Sequence, residues 1–286
     1  IRRISMNITG NTPLIAINSD ERIWAKLETH NRTGSVKDRM IEYICDKALA
    51  EGKIIPGITT LVEATSGNTG IALSSYASSI GCKCVIVMPC NMSEQRKEMM
   101  RAFGAKIVQV EPNNFKGAIG LRDEMVRSGY FSPMQFSNPL NVGCHYSITA
   151  PEILADINDN NVGKWEAFVH GSGTGGTMMG VKQFINDNNL HVKCILTQPE
   201  EDNATHGIQG INDGADFLLD RNLMDETISI KTQDAIDRMK TFWQESGILI
   251  GISSGANILA AERYVEKHDP KGIVVTILCD RGERYL

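Results

Sequence analysis

Short apolar runs separated by helical ones constrain this chain more than any other feature. The run Lys83–Pro89 (KCVIVMP) is apolar throughout after its lysine, and Ile23–Leu27, Leu61–Thr65, Ala105–Val110, Glu166–His170, Val192–Gln198, Ile248–Ile252 and Ile273–Cys279 are of the same kind. Few of these alternate polar with apolar residues, as strands buried on both faces do not. Helical runs lie between them, over 41–50, up to 79, 93–104, 115–128, up to 158, 177–188, 232–245 and 254–267. Such alternation predicts an α/β fold with mainly parallel sheets sandwiched between helices. The pattern divides near residue 140 into two α/β units, a size that 286 residues can supply.

Composition narrows the function classes. A net charge of -5 excludes a broad nucleic-acid face. No apolar run approaches membrane-spanning length and no secretory signal opens the chain, so a cytoplasmic protein is expected. Seven cysteines, at 45, 82, 84, 90, 144, 194 and 279, are scattered without a CxxC pair and read as reduced, mostly core thiols. No two of the six histidines stand at ligand spacing, and no metal is expected.

In the stretch Asn31–Arg39, Ser35 suits a helix N-cap, with Asp38 three residues on as a capping-box partner. Lys37 then lies in the first helical turn, where the helix dipole disfavours its charge. An amine held so, and partly desolvated, loses its proton readily and can form a Schiff base.

Three further motifs follow predicted strands and open predicted helices. Gly171–Thr177 (GSGTGGT) can cup a phosphate on backbone N–H groups. The string also fits G-x-G-x-x-G, with Glu200 where a ribose-binding acid belongs, so a dinucleotide oxidoreductase is the rival reading. Thr65–Gly70 (TSGNTG) suits a carboxylate guest. Gly251–Gly255 (GISSG) matches a nucleophile elbow, but the acids Asp280 and Glu283 follow rather than precede the only downstream histidine, His268, which argues against a serine hydrolase.

Together, GNTPL at 10–14, GSVKDR at 34–39, EATSGNTG at 63–70, MSEQR at 92–96, QFSNP at 135–139, GTGGT at 173–177, IQGI at 208–211, GISSGA at 251–256 and DRGERYL at 280–286 resemble the cysteine synthase and cystathionine β-synthase family. These are fold type II pyridoxal phosphate enzymes, tryptophan synthase β-like in fold, and Asn91–Ser93 with Asp280–Gly282 looks closest to the cysteine synthase B branch. The resemblance implies two three-layer α/β domains: a smaller, mobile substrate-side domain over 31–141, and a larger phosphate-binding domain over 9–30 and 142–286. It implies that Lys37 holds pyridoxal 5′-phosphate and shuttles the Cα proton. Gly173, Thr174, Gly175, Gly176 and Thr177 would hold the phosphate, Asn68 the ring hydroxyl, and Ser253 would face the pyridine nitrogen. Thr65, Ser66, Thr69 and Gln135 would bind the substrate carboxylate.

The reaction so implied is β-replacement on an O-activated L-serine by sulfide, giving L-cysteine through an aminoacrylate, in a homodimer. A lyase releasing hydrogen sulfide from L-cysteine is the alternative within the same chemistry. One departure bears on it. Asn212-Asp213-Gly214 follows IQGI where cysteine synthases commonly carry small, glycine-rich residues, and Asp213 could act as a base on water.

Overall fold

The computed structural model describes residues 8–17, 19, 21–65, 67–202, 207–208, 210–211 and 217–286. In chain order its elements are β1 (Leu14–Ala16), β2 (Ile23–Leu27), α1 (Lys37–Ala50), β3 (Thr60–Ala64), α2 (Asn68–Ser79), β4 (Lys83–Pro89), α3 (Glu94–Ala102), β5 (Lys106–Val110) and α4 (Phe115–Arg127). There follow α5 (Leu140–Cys144), α6 (Ala150–Asp159), β6 (Trp165–Gly171), α7 (Gly176–Asp187), β7 (Lys193–Pro199), β8 (Glu226–Ile230), α8 (Thr232–Ser246), α9 (Ile252–His268) and β9 (Ile273–Leu278). A π-helical turn, His145–Thr149, joins α5 to α6. The chain forms two compact units, one holding Asn31–Asn138 and the other Gly10–His30 with Pro139–Leu286.

In the first unit, β3, β4 and β5 form a parallel sheet in that order, and Phe131 extends it by a parallel bridge to Leu61. Val62, Ala64, Val85 and Val87 pack under Ala118 of α4 with Ile119, Leu121 and Met125 around it. Leu61, Ile86 and Met88 alternate to the other face, which α2 covers with α1 beside it.

The second unit is a six-stranded sheet in the order β1-β2-β9-β6-β7-β8, parallel except for β1. Ala256, Ala260, Ala261, Tyr264 and Val265 of α9 fill one face against Ala167, Val169, Ile195 and Val274. The three alanines of α9 let the helix sit close to the strands. From β6 the chain moves outward through β7 and β8, then returns by α9 to β9 on the opposite side of β6. The order thus reverses between β6 and β9, and in open parallel sheets ligands bind beyond the carboxyl ends of strands at such a point.

Two elements differ from the sequence reading. Ile248–Ile252 is no strand: Ile250 makes an isolated antiparallel bridge to Arg281, and α9 already begins at Ile252. Glu226–Ile230 is a strand that the pattern did not predict; it forms the sheet edge, with Ile228 and Ile230 buried and Glu226, Thr227 and Ser229 at least partly exposed.

Lys26 of β2 is fully buried, and its ammonium meets Asp156 (2.5 Å), Glu152 (3.3 Å) and the carbonyl of Thr12 (2.6 Å). Three acceptors offset the cost of burying that charge. All seven cysteines are free; six are buried and Cys90 is exposed. Burial pushes the thiols of Cys84 and Cys194 up to about 12, so neither is a nucleophile at neutral pH.

Candidate active site

Lys37 is the first residue of α1 and is half-buried. The turn before it is locked from both sides. The Ser35 hydroxyl accepts the Lys37 N–H (3.3 Å), while the Asp38 carboxylate accepts the N–H groups of Ser35 (3.2 Å) and Thr33 (3.0 Å) and the Thr33 hydroxyl (2.7 Å). This is the expected reciprocal cap with one change: Val36 rather than Ser35 immediately precedes the helix, so the serine reaches Lys37 and not Asp38.

In the same unit, Thr65 directly follows β3 and its hydroxyl accepts the N–H of Gly67 (3.3 Å). Asn68 and Thr69 open α2, and the Thr69 hydroxyl donates to the Gln135 side-chain oxygen at 2.7 Å. Thr65, Thr69 and Gln135 are all buried. A helix N-terminus with hydroxyl and amide groups around it is suited to a carboxylate. Ser66 lies outside the described residues.

In the second unit, Gly173–Thr177 turns from β6 into α7. Gly175 has φ +91°, and a Cβ there would lie 2.4 Å from the backbone nitrogen of Leu219. A Cβ at Gly173 would meet the carbonyl oxygen of Gly210 at 2.4 Å, and one at Gly176 the Asn141 side chain at 2.0 Å. The turn is therefore closed to side chains by its own surroundings. Its hydroxyls are held: Asn141 donates to Thr174 (3.0 Å), and Thr177 Oγ1 lies 3.2 Å from His145 Nε2.

Ser253 lies buried in the first turn of α9, at the carboxyl end of β9. That helix start is pinned to the strand end by Gly251 N–H to the Asp280 carbonyl (3.0 Å) and Cys279 N–H to the Ser254 hydroxyl (2.8 Å). Asn257, one turn on, accepts the N–H of Gly171 at 2.8 Å and donates to the Ile277 carbonyl at 3.0 Å. The helix carrying Ser253 and the entry to the glycine turn are thus tied to each other.

The family described as pyridoxal-phosphate dependent enzyme matches residues 6–280. The chain belongs to it. The chain is 38% identical over 285 residues to cysteine synthase B of Escherichia coli, covering 97% of this chain and 92% of that protein. It is 37% identical to the cysteine synthase of Staphylococcus aureus, covering 98% and 94%. Among solved structures, a hydrogen sulfide-producing enzyme of Fusobacterium nucleatum is similar with a TM-score of 0.89 and 34% identity, covering 98% of each chain. O-ureido-L-serine synthase is similar with a TM-score of 0.90 and 34% identity, covering 98% of this chain and 93% of that one.

As a member of this family the enzyme uses pyridoxal 5′-phosphate, and the donors present fit that group. A glycine turn too tight for side chains, two buried hydroxyls and the start of a three-turn helix form an anion cradle. The dinucleotide reading of the same turn is set aside. Besides the family, Glu200 is half-exposed and faces Lys231 at 3.7 Å on the surface. The hydrolase reading stays rejected: His268 closes α9, seventeen residues long, at the end opposite Ser253 and pairs with Glu226 at 2.7 Å.

Sequence reasoning passed over Asn141, His145, Asn257 and Glu63, which hold the predicted site residues in place. Glu63 opens the EATSGNTG motif, and Asn141 and Asn257 closely follow QFSNP and GISSGA, so these three could have been suspected; His145 carries no local signal. Asp213 lies outside the described residues.

Proposed function

We propose that the enzyme replaces the β substituent of an O-activated L-serine with sulfide to give L-cysteine. The observation that carries this reading is the buried Thr69–Gln135 hydrogen bond at the start of α2, in the unit that also holds Lys37, which this reading takes as the receptor for the substrate carboxylate. The cysteine synthases related to this chain over nearly all of its length support the choice of substrates.

When bound, pyridoxal phosphate supplies an electron sink that labilises the Cα proton and the β substituent. In this reading Lys37 holds the cofactor through its amine, takes the Cα proton and returns it after the nucleophile has added. Thr65, Ser66, Thr69 and Gln135 bind the substrate carboxylate and Asn68 the ring hydroxyl. Gly173–Thr177 hold the phosphate. Ser253 offers the pyridine nitrogen a neutral hydroxyl, which does not enforce protonation as an aspartate would. The milder sink favours prompt loss of the leaving group over transamination. We further propose a cytoplasmic homodimer acting on small molecules; among the described residues no helix is long and apolar enough to cross a membrane.

A second reading is favoured by the likeness to the hydrogen sulfide-producing enzyme. Here L-cysteine and water give L-serine and sulfide, with Asp213 taking the proton from water. Holoenzyme is offered O-acetylserine, O-phosphoserine and serine, each with sulfide, and cysteine alone. The first reading predicts cysteine from an O-activated serine as the fastest turnover. Sulfide release from cysteine as the fastest, lost in Asp213→Asn, replaces it with the second.

A further inference from the structure

Glu63, next to the last residue of β3, is completely buried between the apolar Val62 and Ala64. Its two oxygens meet four donors. Oε1 accepts the Arg122 guanidinium (2.7 Å) and the N–H of Ala64 (2.9 Å). Oε2 accepts the backbone N–H of Gln135 (3.2 Å) and the Ser132 hydroxyl (3.4 Å). Gln135 in turn receives the Thr69 hydroxyl on its side-chain oxygen. A continuous path therefore runs from Arg122 on α4 through Glu63 and Gln135 to Thr69 at the start of α2, all inside one unit.

We infer that Glu63 is a positioning residue for the substrate carboxylate, acting through Gln135. The inference rests on the reading that Thr69 and Gln135 bind that carboxylate. A buried carboxylate is costly where an apolar side chain could pack, and it is sustained here only because every donor is matched. Only a carboxylate accepts on both sides at once; a glutamine turns an NH2 group toward one pair of donors. With Oε2 gone as an acceptor, the Gln135 N–H and the Ser132 hydroxyl lose that partner on β3, and the Gln135 side chain shifts in register against Thr69. Arg122 has a second effect. It balances the Glu63 charge, so that an anionic substrate is not repelled by a bare carboxylate beneath its receptor.

The test is L-cysteine affinity, titrated on the visible absorbance of the bound cofactor in wild-type, Glu63→Gln, Gln135→Ala and doubly substituted holoenzyme. Glu63→Gln is expected to weaken L-cysteine binding roughly tenfold, the worth of a hydrogen bond to a charged group, while cofactor content stays at the wild-type level. The double variant should be no weaker than Gln135→Ala, because both changes remove one interaction. Glu63→Asp keeps the charge facing Arg122 but is one methylene too short to reach Gln135. It should show the same loss of affinity should the glutamine variant not fold.

A merely structural Glu63 lowers thermal stability and leaves affinity unchanged, and that result overturns the inference. Unchanged affinity in Gln135→Ala overturns the carboxylate-receptor reading and this inference with it. Weakened binding in Gln135→Ala, with neither Glu63 variant affected, overturns the role of Glu63 alone.

Discussion

The hydroxyl of Thr33 donates to the carboxylate of Asp38 at 2.7 Å, closing a loop around the turn that carries Lys37 into α1. Asp38 also takes the N–H groups of Thr33 and Ser35, so one buried side chain satisfies three donors. Asp38→Ala leaves all three without that acceptor. Unpaired buried donors cost about 1–3 kcal/mol each, partly recovered by relaxation, so a loss of ~2 kcal/mol in stability is expected. The amine of Lys37 then loses its fixed origin, and kcat should fall more than KM rises. Steady-state kinetics together with urea unfolding check both; full activity with an unchanged unfolding midpoint contradicts them.

Gly175→Ala tests the phosphate turn. The residue has φ +91° and no room for a Cβ beside Leu219. Alanine at a left-handed position costs about 1 kcal/mol from conformation alone, and the clash adds to it. The turn must move, and cofactor affinity should drop at least tenfold, an estimate of the order expected for misplaced phosphate donors. Dialysis against buffer, followed by absorbance of the retained cofactor, reads the effect directly. Retention equal to wild type removes the turn from the site.

How much of this could be read from sequence depends on how far apart the interacting residues lie. Lys83–Pro89 and Ile273–Leu278 announce themselves because a strand buried on both faces has to be apolar along its length. Glu226–Ile230 does not, since an edge strand keeps its polar residues. Ile248–Ile252 misled for the opposite reason. Ile250 is buried in one cluster with Met239 and Phe242 of α8 and with Ala25, Leu27 and Leu278 of the larger sheet, and its carbonyl accepts the Trp243 Nε1–H, so the apolar pattern reports packing and not strand pairing. The glycine turn and the Ser35–Asp38 cap are local, so their chemistry shows in the string of letters. Asn141, Glu63 and Asn257 meet their partners 33, 72 and 86 residues away, and only the folded chain brings them together.

Asp225 gives a pH prediction. Burial pushes its carboxyl up, but the Cys194 N–H and the ammonium groups of Lys193 and Lys182 outweigh this and hold it below the ordinary value of 3.8. A group whose folded pKa is depressed stabilises the protein above its unfolded pKa and loses that contribution as pH falls through the folded one. Asp225→Asn should therefore cost about 1 kcal/mol at neutral pH. The gap to wild type should hold steady down to about pH 4 and narrow below it. Urea midpoints across pH measure the gap; a gap that widens on acidification reverses the sign and refutes the assignment.

Lys26→Met removes the buried ammonium from between Asp156 and Glu152 while keeping most of its volume. Two carboxylates then face one another without a cation, and the Thr12 carbonyl loses a donor. Breaking such a pair costs about 3 kcal/mol. The expected result is a lowered urea midpoint with the cofactor spectrum of the remaining folded protein unchanged. An unaltered midpoint shows that the carboxylates are solvated well enough to need no partner.

The central claim is that one amine, that of Lys37, carries the cofactor. Holoenzyme reduced with borohydride, digested and mapped by mass spectrometry tests it most directly. The account predicts the reduced cofactor on the peptide containing Lys37 and on no other, and its loss in Lys37→Ala. A cofactor found on a different lysine, or still attached covalently after that substitution, contradicts it.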